Sequence, residues 1–372
     1  MALAPNIEEL ERRQSSSVKT NVNKQQPVME QPQMIKQSKP DDSLACQDFS
    51  ADTLIPVHVF GLGGAGKTAA LRFAQAKLNS TAKFTTIDTS GIVDPIPGIE
   101  SFRIKDLNGS GKLRRDNVEE ITNFINDYTA RATFSDVNIV IMSCSGGSGS
   151  LLGPLLVDEI LRQKKIVIVI GIIDTDSEVD TMNALNTLKT LDNFTTKRKG
   201  YVPTILFDNN HGRTVVDNGV DTMLANLTMI LDVPYIGLDV QDRIKFLNPN
   251  VFDGINGGIK LLCISTRADG NWEEGLGIIT PEDNYEKLDA TLLVCHKDKN
   301  ISLDKRCFVT FRGYYEDAGI AFAASIGYQI PDKFIKGLNA TIHAHRSVVA
   351  KKQTKIVSEY EIGEQSENGL VL

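Results

Sequence analysis

The sequence lacks the features of an exported or membrane-spanning protein. Its five cysteines are odd in number and scattered, and none forms a C-x-x-C pair, which favours reduced thiols over a disulfide framework. No apolar run approaches the ~20 residues that a transmembrane helix needs. The N-terminus has no signal-peptide pattern. We therefore expect a cytoplasmic protein without a membrane span.

The sequence also lacks an excess of basic residues. The formal net charge of −7 argues against a nucleic-acid surface as the main contact of this protein.

Residues 1–52 are rich in Gln, Ser, Lys, Asn and Pro, with Phe49 as the only aromatic residue. Such a segment cannot bury enough apolar area to offset the entropy cost of ordering. We predict a flexible N-terminal arm over 1–52.

The remaining chain is long enough for two domains. Between residues 53 and 213, apolar strands alternate with amphipathic helices, which predicts an α/β domain with a doubly wound, mostly parallel sheet. Ligands bind such sheets at the carboxyl ends of the strands. A central helix is predicted over Thr214–Leu231 within the segment 214–242, followed by a smaller α+β domain over 243–342 and a C-terminal tail over 343–372.

Three loops are rich in glycine and small hydroxyl residues. The first and third follow predicted strands, and all three precede predicted helices. A mobile surface loop is the alternative for the second. Amides at a helix N-terminus bind phosphate, and glycine allows the backbone to approach it closely. The candidate binding residues are Gly61, Gly63, Gly64, Ala65, Gly66 and Lys67 in the first loop, Gly109, Ser110 and Gly111 in the second, and Ser145, Gly146, Gly147, Ser148, Gly149 and Ser150 in the third. Asp88, after another strand, is a candidate for a ribose or for a metal-bound water, with an ordinary Asx turn as the alternative.

The first loop leaves two other interpretations open. It fits G-x-x-x-x-G-K-S/T, in which Lys67 meets the β and γ phosphates and Thr68 holds Mg²⁺, as in a P-loop ATPase or GTPase of the partitioning type. Asp174 is then the second metal acid. The same glycines are close to the G-x-G-x-x-G of a Rossmann dinucleotide-binding protein, with Asp88, about 20 residues on, as the ribose acid.

Taken together, the loops resemble those of the tubulin/FtsZ superfamily of polymerising GTPases, particularly its shorter plasmid and phage members, TubZ and PhuZ. The resemblance covers roughly residues 55–245. Ser145–Leu151 is similar to the tubulin signature small-Gly-Gly-Thr-Gly-small-Gly, with Ser148 in place of Thr and Leu151 in place of the last glycine. Lys67 and Thr68 depart from the superfamily, which generally has uncharged residues at these positions.

The resemblance implies GTP/GDP and Mg²⁺ as ligands, with no metal-ligating side chain assigned. It implies that Asn209 reads guanine. For the second guanine contact we choose Asn218 over Asn226. The segment Gly237–Asp242 is similar to the catalytic loop Asn-x-Asp-x-x-Asp, with Gly237 in place of Asn, which makes Asp239 and Asp242 the candidate catalytic residues. Helix N-capping by Asp239 is the alternative role.

The length of the predicted central helix indicates that a second subunit is needed. The helix Thr214–Leu231 is about 27 Å long at 1.5 Å per residue, and it follows directly on Asn209. Asp239 and Asp242, beyond its far end, cannot reach a nucleotide in their own subunit, although a catalytic carboxylate must stand within hydrogen-bond reach. The two acids therefore act on the nucleotide of a neighbouring subunit or on no nucleotide. A head-to-tail contact that does not close gives a filament.

The expected partner is therefore a further copy of the same chain. The resemblance adds DNA positioning or segregation as the biological role, with a DNA-binding adaptor as a further candidate partner. For a phage- or plasmid-encoded chain, the expected location is the cytoplasm of the bacterial host.

Overall fold

The computed structural model describes residues 54–76, 82–91, 96–104, 107, 109–266, 276–282, 287–296, 306–315 and 322–359, with side chains up to residue 348. The predicted N-terminal arm over 1–52 and the end of the predicted C-terminal tail lie outside the described residues.

The strands of the described chain form one sheet, in the order β3-β2-β1-β4-β5-β6-β7-β10-β8-β9. Neighbouring strands from β3 to β7 are parallel. Strand β10 is antiparallel to both of its neighbours, and β8 and β9 are parallel to each other. The strands are β1 (Val57–Leu62), β2 (Lys83–Asp88), β3 (Ile99–Arg103), β4 (Val137–Ser143), β5 (Ile166–Ile173), β6 (Tyr201–Asp208), β7 (Gly258–Ser265), β8 (Leu288–His296), β9 (Cys307–Tyr315) and β10 (Phe322–Tyr328).

Helices cover both faces of this sheet. Helices α1, α5 and α6 pack with one hydrophobic cluster, and α2, α3, α4 and α7 pack with the other. Strand β5 shows why, because all of its residues are buried and its side chains alternate between the two clusters. The predicted doubly wound sheet is confirmed. The helices are α1 (Gly63–Ala76), α2 (Val118–Thr129), α3 (Gly149–Arg162), α4 (Glu178–Arg198), α5 (Arg213–Leu231), α6 (Val240–Leu247) and α7 (Asp332–Glu359).

The central helix is α5. Its predicted bounds agree with the structure to within one residue, and its predicted stripe of Val216, Val220, Met223, Leu227 and Ile230 is buried. The helix ends at Leu231, and Pro234 prevents its continuation because proline has no backbone N–H to donate.

The C-terminal strands extend the same sheet, since β7 pairs in parallel with β6 through Tyr201 and Gly258. The division of the chain at residue 243 remains a prediction. The predicted boundary at residue 343 also remains a prediction; it falls inside α7, and residues 343–359 of the predicted tail are helical. No helix in the described part of the chain is long and apolar enough to cross a membrane.

Candidate functional site

The first and third predicted loops meet at the edge where the parallel strands β1 and β4 end. Helix α1 begins directly after β1, and Gly63 makes this turn with a φ of +66°. A Cβ at Gly63 would lie 2.9 Å from the backbone nitrogen of Gly149. Glycine is therefore required there, because the two loops pack backbone against backbone.

The second loop contacts the third. The Gly109 amide donates to the carbonyl of Thr89 at 3.1 Å, and the Thr89 hydroxyl lies 2.6 Å from the Ser148 hydroxyl. A Cβ at Gly147 would overlap the Ser110 hydroxyl and would lie 2.9 Å from Lys112 Cα. All three loops that the sequence singles out thus lie together at one edge of the sheet.

The start of α3 fits a phosphate group. No side-chain hydrogen bond caps this helix at Ser148, and its first turn contains no acidic residue. The first turn of α1 also lacks acidic residues. By contrast, Ser177 caps α4 by accepting from the Asp180 amide. Free amides and the positive end of the helix dipole attract anions, so the first and third loops suit a chain of phosphates.

Lys67 is paired with Asp88. Its Nζ lies 3.0 Å from Asp88 Oδ2, with only 15% and 7% of the two side chains exposed. Burial alone would raise the pKa of Asp88, but hydrogen bonds from Ser90 and Lys67 outweigh it and lower that pKa. The carboxylate also accepts from the Thr89 amide at 2.8 Å. Asp88 therefore has protein partners on both oxygens, and its contact with a nucleotide remains a prediction.

The backbone around Lys67 differs from the open phosphate loop of the P-loop interpretation. The chain is helical from Gly63 onward, so Lys67 projects from a helix instead of a loop that wraps around phosphates. The Thr68 hydroxyl donates to the Gly64 carbonyl at 2.9 Å, within the same helix. Neither side chain is arranged for the phosphate and metal contacts that this interpretation assigns to it.

Side chains of α4 support the second and third loops, and the sequence analysis did not identify them. Asn183 Nδ2 donates to the carbonyls of Lys112 at 2.9 Å and Ser145 at 3.1 Å. Lys112 Nζ donates to Asp180 Oδ2 at 2.8 Å, and this hydrogen bond raises the pKa of Lys112. The sequence feature that could have identified them is the presence of polar residues on the buried face of α4, where apolar residues are expected.

The loops after β5 and β6 are joined at the same edge. The Ser145 hydroxyl donates to the Asp174 carbonyl at 2.7 Å and accepts from the Asp174 amide at 2.8 Å. Asn209, in the short 3-10 helix Asn209–His211, donates to Asp174 Oδ2 at 3.3 Å. The candidate guanine reader thus lies beside the third loop.

The two candidates for the second guanine contact differ in exposure. Asn218 is exposed in the first half of α5, whereas Asn226 is buried, with 6% exposure, further along the helix. An exposed side chain near the start of α5 is accessible to a ligand at the strand ends. Asn218 is therefore the more accessible of the two, and its contact with guanine remains a prediction.

The acidic pair lies at the other end of α5. Asp239 caps α6, because its Oδ1 accepts from the Asp242 amide at 2.8 Å, so the capping role is confirmed. Helix α5 contains 19 residues and is about 28 Å long. This length separates the acids from the loop of Asn209.

Among the residues that the structure describes, no group of three or more His, Cys, Asp or Glu side chains is arranged to bind a metal ion.

The sheet, the central helix and the joined loops define a tubulin-like α/β protein, and comparison with known proteins agrees. The phage tubulin-like protein of Pseudomonas phage phiKZ is 30% identical over 138 residues, which are 36% of this chain and 42% of that protein. The corresponding protein of Pseudomonas phage PhiPA3 is 27% identical over 150 residues, 39% of this chain and 48% of that protein. Both alignments span less than half of the relative's length. No family model matches.

Solved structures match over most of the chain. The phage tubulin PhuZ with GDP superposes with a TM-score of 0.67 at 16% identity, over 86% of this chain and 100% of that one. A protofilament of TubZ from bacteriophage PhiKZ gives 0.65 at 18% identity, over 86% and 99%. FtsZ from M. jannaschii gives 0.56 at 14% identity, over 75% and 92%. These matches show that the chain has the tubulin-like fold.

Proposed function

We propose that this protein is a GTPase that assembles head to tail into cytoskeletal filaments, and that each GTP is hydrolysed between two adjacent subunits. The observation that carries the proposal is the length of α5 between the joined loops and the acidic pair. Two relatives described as a TubZ protofilament and a PhuZ filament support assembly, and the PhuZ structure with GDP supports a guanine nucleotide.

In this proposal the joined loops hold the phosphates. The uncapped start of α3 and the start of α1 supply amides, and Gly147 and Gly63 let the three loops close around the phosphate chain. The loop of Gly109, Ser110 and Gly111 lies beside the third loop, where it can respond to the γ phosphate. Asn209 and Asn218 bind the base. Bound Mg²⁺ would neutralise phosphate charge, and the protein contributes few ligands to it.

The acids complete the site of the next subunit. Asp239 is exposed and Asp242 is half-buried, so both can face a neighbour. Asp239 uses Oδ1 to cap α6, which fixes the carboxylate while Oδ2 remains available to accept a hydrogen bond from water. A carboxylate within hydrogen-bond reach of the attacking water orients it and accepts its proton.

Turnover is expected to depend on protein concentration. In dilute solution each subunit lacks the acids of a neighbour, so phosphate release per subunit should be very slow. Above the concentration at which polymer forms, the rate per subunit should rise together with the mass of sedimented filament. Phosphate release measured across a dilution series, with electron microscopy of the same samples, tests this. A rate per subunit that is independent of concentration contradicts the proposal.

We also propose that the filament positions or segregates DNA in the cytoplasm of a bacterial host. The phage relatives support this location. Because the chain has a formal net charge of −7, we assign the DNA contact to an adaptor protein and not to the filament surface.

Lys67→Met separates this proposal from the P-loop interpretation. We expect the variant to retain most of its affinity for GTP, because Lys67 is paired with Asp88, whereas a P-loop enzyme would lose binding. Stability should fall by about 1–3 kcal/mol, since a partly buried carboxylate loses its cation. The pair stabilises the fold above the unfolded carboxyl pKa of about 3.9, and its contribution is lost as the pH falls through the lowered pKa of the folded state.

The control is Lys67→Met combined with Asp88→Asn, which removes the unpaired charge and should recover stability at neutral pH. Nucleotide titration and urea unfolding measure the two effects. A loss of GTP affinity in both variants would favour the P-loop interpretation. In the Rossmann interpretation, the Asp88 carboxylate would have to exchange its hydrogen bonds with Lys67 and Ser90 for a ribose.

A further inference from the structure

A buried arginine directly follows the second acid, and the proposed function gives it no role. Arg243 is 1% exposed and is among the largest fully buried side chains. Its Nη1 donates to the backbone carbonyls of Ile230 at 3.3 Å, Leu231 at 3.0 Å and Val233 at 3.3 Å. These carbonyls form the far end of α5 and the start of the turn that follows it.

The chemistry suits this end of the helix. The last carbonyls of an α-helix have no partners within the helix, and they carry the negative end of its dipole. A guanidinium group offers several donors in a fixed plane, so one side chain can satisfy more than one of these carbonyls. Arg243 therefore replaces the water or glycine-based cap on which other helices rely.

Core packing alone does not require an arginine at this position. Phe246 and Leu247, on the same short helix, are buried among apolar side chains. Burial lowers the pKa of Arg243, which reflects the cost of placing its charge away from water. An apolar side chain would fill the space without that cost. What the arginine adds is a directed link between two backbone segments.

This link joins the central helix to the acids. Arg243 follows Asp242, and its own amide donates to the Asp239 carbonyl at 3.3 Å. The first turn of α6 therefore carries both acids and the guanidinium that binds the end of α5. We propose that Arg243 is a positioning residue that sets the acidic pair relative to the central helix. The inference rests on the proposed function.

A separate contact retains the loop when this link is removed. Ile236, between α5 and α6, pairs with Tyr314 of β9 through two backbone hydrogen bonds of 3.0 and 2.9 Å. Loss of the guanidinium should therefore leave the loop attached to the sheet while α6 loses its fixed position against α5. We expect a folded subunit whose acids are displaced.

Arg243→Met in the full-length chain tests the role. We expect phosphate release per assembled subunit, at saturating GTP, to fall about tenfold, because small displacements of catalytic groups are costly. The affinity of the unassembled chain for GTP should remain within about twofold of wild type, since the joined loops are untouched. The rate is expressed per assembled subunit, so a change in the amount of polymer does not affect it.

Arg198→Met is the matched control. Arg198 binds Asp158 through two hydrogen bonds of 2.6 and 2.7 Å and joins α4 to α3, on the opposite face of the sheet from α5 and α6. The Arg198→Met variant loses an arginine contact between helices without affecting the acids. Turnover per assembled subunit should stay at the wild-type value even where thermal stability falls.

Arg243→Lys is the second variant, and it carries the test if the methionine variant does not fold. A lysine keeps the charge, but its Nζ lies one bond closer to the backbone than the Nη1 that binds the three carbonyls, so turnover per assembled subunit should be intermediate. Wild-type turnover per assembled subunit in every folded Arg243 variant overturns the inference, as does a fall explained wholly by weaker GTP binding. The failure of the proposed function looks different, because the wild-type chain itself would then lack concentration-dependent turnover.

Discussion

Asp239→Asn and Asp242→Asn chains are expected to bind GTP and to polymerise, but to hydrolyse GTP at least about 100-fold more slowly than wild type, the scale of general-base catalysis. The nucleotide loops lie at the opposite end of α5 and are unchanged in these variants. Polymer formed with GTP should therefore persist, because the nucleotide that it contains is not consumed. Phosphate release and sedimentation after GTP addition measure the two effects.

The choice of asparagine separates catalysis from capping. Asparagine at position 239 can still accept from the Asp242 amide, so α6 keeps its cap while the negative charge is lost. Asp239→Ala loses both, with about 1 kcal/mol less stability. Slow turnover in the alanine variant alone would assign Asp239 a purely structural role. Wild-type turnover in both asparagine variants would remove the pair from the chemistry.

Gly147→Ala is expected to lower the affinity for GTP by up to about 100-fold, which corresponds to strain of about 3 kcal/mol. The new methyl group would overlap the Ser110 hydroxyl and would lie 2.9 Å from Lys112 Cα, which is backbone and cannot rotate away. The second and third loops would then separate, and in the proposed site both surround the phosphates. Titration of the unassembled chain with a fluorescent GTP analogue measures the loss.

Gly146→Ala is the matched control on the same loop. A methyl group there would approach the Ser143 hydroxyl no closer than 3.4 Å, and the backbone needs no positive φ at this position. We expect GTP affinity within about twofold of wild type, since the substitution leaves the contact between loops intact. Thermal unfolding of both variants separates loss of binding from loss of fold. Equal affinities in the two variants would contradict the assignment of Gly147.

The central part of the fold was predictable because its strands are buried on both faces. Such strands read as continuous apolar runs, as in β5, and the helix α5 carries its apolar residues at helical spacing. The edge strand β3 was not predicted. Most of its residues are exposed, so neither an apolar run nor an alternating pattern identifies it.

The site was predictable only in part, for a similar reason. Gly63 and Gly147 were singled out in glycine-rich runs because glycine lets the backbone approach a phosphate, whereas the structure adds that both lie at close contacts between loops. The contacts of Asn183 with Lys112 and Ser145 join distant parts of the chain, and no local pattern encodes them. The pairing of Lys67 with Asp88 was hidden because the same residues satisfy the P-loop pattern.

In the proposed filament, the position of the acids beyond the far end of α5 would make the two tips of a growing polymer chemically different. At one tip, the outermost subunit holds its GTP with no neighbour to supply acids, so that GTP survives until the next subunit arrives. At the opposite tip, the acids of the outermost subunit face solvent and have no substrate. Under the proposed mechanism, hydrolysis therefore lags behind growth by at least one subunit, and a tip that stops growing keeps its last GTP intact.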